Sequence, residues 1–206
     1  MAAYRGKRAI DLLVGLPALV LSLPVQAVVA AAVWRRLGSP IIFRQVRPGL
    51  GGEPFELRKF RTMLPIDAGP ERSDDDSRMT SFGAWLRSTS LDELPTLWNV
   101  VRGDMSLVGP RPLLLQYLDR YSQHQARRHE VRPGMTGLAQ VSGRNAITWD
   151  HKLDLDVEYV DRCSFLLDLR VVLRTVGQVV RRHGVTADGQ ATMPEFTGSA
   201  SQDRAS

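Results

Sequence analysis

The sequence predicts a mixed, helix-rich α+β fold: a small globular cytosolic domain with surface amphipathic helices, carried by an N-terminal re-entrant membrane helix. Three observations predict it. Residues 9–34 form an apolar run that exceeds the roughly 20 residues a helix needs to cross a bilayer. Two extended runs within residues 38–63 flank a turn of glycine and proline. Residues 166–183 carry apolar side chains at helical spacing.

Length and composition limit the domain count and the kinds of partner. A chain of 206 residues suffices for one domain with its own core, so we divide it into a membrane anchor, a globular domain and a disordered tail, at residues 1–37, 38–197 and 198–206. The net charge of +5, mostly from arginine, favours partners that bear phosphate. Cys163 is the single cysteine, which excludes an internal disulfide, and the four histidines lack zinc-site spacing.

The apolar run carries cations at both of its ends. They are Arg5, Lys7 and Arg8 before the run, and Arg35 and Arg36 after it. Because cationic flanks favour the cytoplasmic side, a helix that enters the membrane, bends and returns satisfies both ends. Pro24 lies near the middle and would cause the bend, since proline removes a backbone hydrogen bond. A single span with a tolerated proline and a cleaved signal peptide are the alternatives.

The next segment, "GSPIIFRQVRPGLGGEPFELRKFRTM" (38–63), predicts a β-hairpin around its glycines and prolines. Its second arm ends in three cations, Arg58, Lys59 and Arg61. These cations belong either to an anion-binding site or to a solvated edge strand, and the pattern alone leaves both interpretations open.

The last predicted helix, residues 166–183, has one apolar face, while arginines occupy the remainder. Gly184 is placed to end this helix. A basic amphipathic helix of this kind either rests on an anionic bilayer or packs as an ordinary surface helix, and both remain open.

Two neighbouring carboxylates, Asp92 and Glu93, open the stretch "SLDELPTLWNVVRGDMSLVGPRP" (90–112). Pro95 fits the first turn of a helix, which predicts a helix that begins at Ser90 or Asp92, with either a capping box of Ser90 and Glu93 or Asp92 itself as the cap. The positive helix end would favour both ionised carboxylates. Because adjacent anions repel, a bound Mg²⁺ would relieve the repulsion, whereas plain helix capping needs no ion.

Cations and rigid turns accompany the carboxylates. The candidate phosphate-binding residues are Lys59, Arg87, Arg111, Arg132 and Arg144. Pro110 and Pro112 fix the backbone on both sides of Arg111, which lowers the entropy that its side chain loses on binding a ligand. Glycines 134, 137 and 143 would let backbone amides approach a ligand closely. Phosphoryl transfer needs fixed cations and a metal around anionic oxygens, although each segment alone could be a plain turn.

These motifs, in this order, resemble those of the small monotopic phosphoglycosyl transferases of bacteria, the PglC-like sugar transferases, over residues 7–197. The resemblance implies transfer of a phosphosugar from a UDP-sugar to undecaprenyl phosphate, which releases UMP. It makes Asp92 the nucleophile, with Glu93 as a helper at the metal or in proton transfer. Mg²⁺ would be held by Asp92 and Glu93. Lys59 and Arg87 would either hold substrate phosphates or orient the two carboxylates, and Pro110, Arg111 and Pro112 would contact the nucleotide. Arg132 and Arg144 are further substrate-binding candidates because each adjoins a glycine or proline.

The resemblance also implies partners and a location. We expect a UDP-sugar that carries an N-acetylamino sugar, undecaprenyl phosphate, membrane lipids, and either a homodimer or downstream glycosyltransferases as protein partners. The protein would be monotopic, on the cytoplasmic face of the bacterial inner membrane. The alternative function is a catalytically idle membrane anchor that binds UDP-sugars or pathway enzymes. We expect no nucleic-acid partner, because no helix-turn-helix or aromatic RNA platform is recognisable.

Overall fold

The computed structural model describes residues 3–65, 75–143, 147–181 and 195–198. Its helices are α1 Lys7–Leu37, α2 Asp75–Arg78, α3 Ser81–Ser88, α4 Thr96–Arg102, α5 Gln123–Ala126, α6 Leu138–Val141, α7 Trp149–Arg162 and α8 Phe165–Arg181. Its strands are β1 Ile42–Pro48, β2 Pro54–Phe60, β3 Ser106–Val108 and β4 Gly134–Thr136. Short 3-10 turns lie at Leu50–Gly52, Leu91–Glu93, Leu115–Arg120 and Arg127–Glu130. The helix-rich α+β class predicted from the sequence is confirmed.

Helix α1 is the one helix in the described part of the chain that is long and apolar enough to cross a membrane. It is a single element that contains both Pro17 and Pro24. Near Pro24, the Ser22 hydroxyl donates to the carbonyl oxygen of Leu19 at 2.9 Å and accepts from the Gln26 side chain at 2.9 Å. The re-entrant path stays a prediction.

Both ends of α1 are buried against the globular domain, while its middle is exposed. At the N-terminal end, Lys7 forms a 2.6 Å ion pair with Asp168 of α8. Asp11 accepts hydrogen bonds from the Ser106 hydroxyl at 2.9 Å and the Leu107 amide at 3.0 Å. At the C-terminal end, three apolar residues join the cluster around Phe60 and Leu86: Val29, Val33 and Leu37. The two ends of α1 are therefore fixed to one domain.

The predicted hairpin is confirmed, as β1 and β2 pair antiparallel from Ile42 opposite Phe60 to Pro48 opposite Pro54. Gly51 and Gly52 have φ of 65° and 82°, a conformation that favours glycine, so these two residues make the turn possible. Side chains alternate between the two faces of each strand. One face, which we call the cleft face, carries Phe43, Gln45 and Arg47 of β1 and Phe55, Leu57 and Lys59 of β2.

Helix α4 covers the free edge of β2 through polar side chains. Asn99, which is 1% exposed, accepts from the Arg58 amide at 3.2 Å and donates to the Glu56 carbonyl at 2.8 Å. Thr96 donates from its hydroxyl to the Arg58 carbonyl at 2.9 Å. These bonds replace a missing strand partner and hold the start of α4 beside the end of β2.

Strands β3 and β4 form a short parallel pair in which Ser106 is opposite Gly134 and Val108 is opposite Thr136. A Cβ atom on Gly134 would come within 2.1 Å of the Gly109 amide nitrogen, and one on Gly137 within 2.1 Å of the Gly109 carbonyl oxygen. These two glycines let neighbouring backbone segments pack closely. Gly134 also lines the cleft described below, and the approach of its backbone to a ligand stays a prediction.

Helix α8 confirms the predicted amphipathic helix, and its apolar face lies away from the domain. One side packs inward through Val171 and Asp168, which are 1% and 7% exposed. Six apolar side chains, which we call the α8 stripe, remain largely exposed: Phe165, Leu166, Leu169, Val172, Leu173 and Val176. Gly184, the predicted helix end, lies outside the described residues.

Candidate active site

Asp92 and Glu93 lie in the 3-10 turn Leu91–Glu93, between α3 and α4. Ser90 precedes the turn with φ of 56°, in the left-handed region that few residues other than glycine occupy. Such strained backbone is often found where a side chain must be aimed at a site. Here the turn brings both carboxylates next to the cleft face of the hairpin, because α4 is bonded to the edge of β2.

Both predicted capping arrangements are wrong. Within the described part of the chain, no side chain caps the 3-10 turn or α4, and α4 begins after Pro95. The turn satisfies its own backbone instead: the Glu93 amide donates to the Ser90 carbonyl at 3.2 Å, and the Leu94 amide to the Leu91 carbonyl at 3.4 Å. The side-chain oxygens of Asp92 and Glu93 are therefore not used in helix capping and are available to other groups.

Glu93 is the centre of an ion-pair triad. Its Oε1 accepts hydrogen bonds from Lys59 Nζ at 3.1 Å and from Arg111 Nη2 at 2.9 Å. Burial alone would raise the pKa of Glu93, but the charges of Lys59 and Arg111 and their hydrogen bonds outweigh burial and hold this pKa well below its usual range. Glu93 is therefore ionised at neutral pH and fixes the positions of two cations.

Asp92 has a different environment from its neighbour. It is 7% exposed, and no described residue donates a hydrogen bond to its carboxylate. Burial, and then the negative charge of Glu93, raise the pKa of Asp92 to about 6, although Lys59, Arg87 and Arg111 act in the opposite direction. A desolvated carboxylate whose oxygens are not engaged is a competent nucleophile once it is ionised.

The structure brings together several of the other predicted site residues. Arg87 lies close enough for its charge to lower the pKa of Asp92, and its Nε donates to the Thr62 hydroxyl at 3.1 Å. Arg111 points to Glu93 from the turn between Pro110 and Pro112, both of which are buried. The rigid turn thus places its arginine beside Glu93, and the predicted contact of this turn with substrate stays a prediction.

Two predicted residues are not placed at the site. Arg132 donates from Nε to the Gly103 carbonyl at 2.9 Å, at the end of α4, so its part in substrate binding stays a prediction. Arg144 lies outside the described residues.

A cleft of about 90 Å³ opens beside Glu93, and its walls include Lys59, Arg111, Pro112 and Arg47. Sequence reasoning missed Arg47. The signal that could have found it is the alternation of β1, since a hairpin in this register places Arg47 on the same face as Lys59.

A second missed feature lies behind Arg111. Arg128 and Asp156 form a buried ion pair of 2.7 Å, with side chains that are 1% and 3% exposed. Arg128 also donates to the carbonyl oxygen of Arg111 at 2.7 Å. This ion pair therefore braces the turn that carries Arg111, a role that no local pattern in the sequence indicates.

The two carboxylates could hold a magnesium ion only if water and substrate phosphate oxygens completed its coordination. No cluster of three or more His, Cys, Asp or Glu side chains that could hold a metal occurs among the described residues. Mg²⁺ commonly binds to one or two carboxylates and completes its shell with water and substrate phosphate oxygens. Asp92, with its unengaged oxygens, fits this donor set better than Glu93, which Lys59 and Arg111 already neutralise.

Comparisons with known proteins agree with this chemistry. A family model described as "Bacterial sugar transferase" matches residues 2–182. The chain is 48% identical over 194 residues to "Uncharacterized sugar transferase EpsL" of Bacillus subtilis (strain 168), covering 94% of this chain and 96% of that protein.

Relatives with more specific names are also similar. The chain is 41% identical over 181 residues to a UDP-glucose:undecaprenyl-phosphate glucose-1-phosphate transferase of Caulobacter vibrioides, covering 82% of this chain and 68% of that protein. It is 39% identical over 197 residues to a UDP-galactose-lipid carrier transferase of Erwinia amylovora, covering 86% of this chain and 41% of that protein. With a cation-lined carboxylate pair in the region that the family model covers, the chain belongs to the bacterial sugar transferase family.

Proposed function

We propose that the protein transfers a phosphosugar from a UDP-sugar to undecaprenyl phosphate, giving undecaprenyl-diphosphate-sugar and UMP. The observation that carries this proposal is the buried Asp92 carboxylate, which no described residue engages by a hydrogen bond and which lies within the field of three cations. The names of the relatives support the two substrates, since one of them is a UDP-glucose:undecaprenyl-phosphate glucose-1-phosphate transferase.

The first step uses Asp92 as a nucleophile. One of its oxygens attacks the sugar-bearing phosphorus of the UDP-sugar, and the bond from that phosphorus to the bridging oxygen breaks. UMP leaves with the electron pair, and the phosphosugar stays on Asp92 as an acyl phosphate. Lys59, Arg87 and Arg111 stabilise the charge that the phosphate oxygens carry in the transition state.

In the second step, a phosphate oxygen of undecaprenyl phosphate attacks the same phosphorus and displaces the Asp92 carboxylate. Glu93 keeps Lys59 and Arg111 in place through both steps. A bound Mg²⁺, held by Asp92 with Glu93 close by, would reduce the negative charge of the diphosphate.

The membrane anchor places this site at the bilayer surface. Both ends of α1 contact the same domain, so both lie on one side of the membrane if the domain does. This supports a re-entrant α1 and a monotopic protein on the cytoplasmic face, where UDP-sugars are available. The exposed α8 stripe would rest in the interface, with Arg170 and Arg174 beside it for lipid phosphates.

The first step can be tested without lipid. Purified protein with Mg²⁺ and a UDP-sugar should release up to one equivalent of UMP and gain the mass of a phosphosugar on the peptide that contains Asp92. Asp92→Asn should do neither. If the unmodified protein binds the nucleotide but forms no adduct with any UDP-sugar tested, the chain is an idle binding protein instead.

The same assay identifies the sugar. The sequence predicts an N-acetylamino sugar, whereas two relatives are named for glucose and for galactose. A panel of UDP-sugars should therefore include both plain hexoses and their N-acetylamino forms. The donor that gives the fastest UMP release is the substrate.

A further inference from the structure

Arg47 is a cation of the cleft that lacks a carboxylate partner. It lies on the cleft face of β1, and it lines the same cavity as Lys59 and Arg111. Its Nη2 donates to the Gln45 side-chain oxygen at 2.5 Å, and its Nη1 donates to the Pro112 carbonyl at 3.5 Å. Its Nε is buried and has no hydrogen-bond partner among the described residues. No described carboxylate forms an ion pair with it.

The cleft has an excess of positive charge, so the partly buried Arg47 guanidinium is destabilised when no anion is bound. Glu93 is the one acidic residue that lines the described cavity, and Lys59 and Arg111 already bind it. Burial, and then repulsion by Arg111, lower the pKa of Arg47 to about 10. A partly buried cation with a free donor and a cationic neighbour is stabilised when an anion enters between the two.

The position of Arg47 along the strand indicates which anion it binds. Phe43 pairs with Lys59 near the end of the hairpin that follows α1 in the chain, whereas Arg47 lies four residues further along β1, close to the hairpin turn. At about 3.3 Å per residue, Arg47 is ~13 Å further than that pair from the membrane-anchored end of the hairpin. A ligand that comes from the aqueous side reaches it first.

We propose that Arg47 binds the phosphate of the nucleotide half of the donor, the group that leaves as UMP. This inference rests on the proposed function, and it adds a substrate-binding residue to the reaction. In this arrangement Lys59 and Arg111 act at the sugar-bearing phosphate. Arg47 pairs with the nucleotide phosphate before, during and after the first bond breaks.

The test compares two ligands that differ by the phosphate group. Calorimetric titration of the purified full chain with UMP and with uridine separates binding of the phosphate from binding of the nucleoside. Arg47→Gln should weaken UMP binding by about 10- to 100-fold, since a lost charge-assisted hydrogen bond has this effect, and should leave uridine binding unchanged. Arg47→Lys should retain more UMP affinity than Arg47→Gln.

Arg44→Gln is the matched control, because Arg44 lies on the opposite face of the same strand and is exposed, 3.8 Å from Glu56. It should bind UMP as the unmodified protein does. Equal weakening of UMP and uridine binding in both Arg47 variants would overturn the inference, because it would show a structural role. Unchanged UMP binding in Arg47→Gln would overturn it as well.

Two further measurements separate this inference from its alternatives. Arg47→Gln should raise the KM for UDP-sugar in the lipid-free release of UMP. Once the phosphosugar is on Asp92, this variant should pass it to undecaprenyl phosphate at the normal rate. A slower second step with a normal first step would assign Arg47 to the lipid phosphate and overturn the inference. If no UDP-sugar is cleaved but UMP binding still depends on Arg47, the site stands and the proposed function fails.

Discussion

Asp92 and Glu93 are neighbours in the chain, but their surroundings push their pKa values in opposite directions. Two cations bind Glu93 directly, so it stays ionised. Asp92 is buried beside that negative charge, and its pKa rises to about 6. Environments that separate two carboxylates in this way commonly separate their roles. In the proposed reaction, Glu93 organises the cations and Asp92 is the nucleophile.

The pH dependence of the first step should follow Asp92. The nucleophile must be ionised, so UMP release without lipid should increase through a midpoint near pH 6 and reach a plateau above it. Glu93→Gln removes the charge that raises the pKa of Asp92, and it frees two cations that lower this pKa. The midpoint should therefore move to lower pH, whatever happens to the maximal rate. Glu56→Gln, on an exposed carboxylate of β2, is the control and should keep the original midpoint.

Asp92→Asn should also be more stable than the unmodified protein at neutral pH. The pKa of Asp92 rises from 3.8 to about 6 on folding, so its ionisation opposes folding above pH 6. One pKa unit corresponds to about 1.36 kcal/mol, and the whole shift from 3.8 to about 6 acts at pH 7.5, which predicts a gain of about 3 kcal/mol in the free energy of unfolding. The gain should shrink as the pH falls through 6 and vanish near pH 4. Denaturant unfolding in detergent at several pH values measures it, and an equal gain at every pH would contradict the assignment.

At the scale of elements, the contact between α4 and β2 sets the distance from Lys59 to Glu93. Lys59 is on the strand, Glu93 is in the turn before the helix, and Asn99 joins the two elements. The sequence was enough to identify both charged residues and the hairpin, because composition and turn residues indicate these locally. It did not indicate Asn99, Arg128 or Asp156, because their partners are distant in the chain and depend on how the elements pack.

Asn99→Leu should weaken this junction. It leaves the Arg58 amide and the Glu56 carbonyl without their partner at a buried position, and each unpaired group costs roughly 1–3 kcal/mol, so the free energy of unfolding should fall by about 2–4 kcal/mol. The KM for UDP-sugar should rise too, because Lys59 moves relative to Glu93. Arg102→Gln, on an exposed side chain of the same helix, should change neither quantity. A stable Asn99→Leu protein with normal kinetics would show that the junction is held by other contacts.

The re-entrant path of α1 can be tested at Pro24. Proline cannot donate a backbone hydrogen bond, and Pro24→Ala restores one. The straightened helix should carry part of the N-termini across the membrane, against the ion pair of Lys7 with Asp168. A cysteine at position 3, in a Cys163→Ser background, should then react with an impermeant thiol reagent added from outside. Pro17→Ala is the matched control and should stay protected. Protection of both variants would contradict the prediction that Pro24 bends α1 back to the same side of the membrane.

At the scale of the whole molecule, the proposed reaction needs three surfaces to act together: the cleft that would accept a soluble donor, the middle of α1 and the α8 stripe. The contacts of Lys7 and Asp11 at the N-terminal end of α1 hold these three surfaces in a fixed arrangement. Asp11, the one acidic residue in the apolar run, is 3% exposed and bonded to the β3 segment. The sequence of the apolar run alone does not indicate these partners of Asp11, because a buried charge is stabilised only by groups that the folded domain supplies.

The α8 stripe should matter for the lipid substrate and not for the soluble one. Leu166 and Leu173 are 64% and 63% exposed, so Leu166→Gln with Leu173→Gln removes apolar surface from the interface without opening the core. Because α1 still anchors the protein, the variant should remain in the membrane. The lipid-free release of UMP should be unchanged, since the cleft is untouched. Transfer from Asp92 to undecaprenyl phosphate in bilayers should slow several-fold, because the domain is held less firmly at the depth of the lipid phosphate.

The matched control is Asp154→Asn with Arg162→Gln, two exposed charged residues on α7 whose replacement should leave both steps unchanged.

The dependence on salt concentration provides a second check. Arg170 and Arg174 flank the stripe, so ionic strength should slow the bilayer step more with anionic vesicles than with neutral ones. If the double leucine variant slows UMP release and lipid transfer equally, α8 supports the fold of the domain rather than its orientation. If it slows neither, the stripe lies outside the lipid interface.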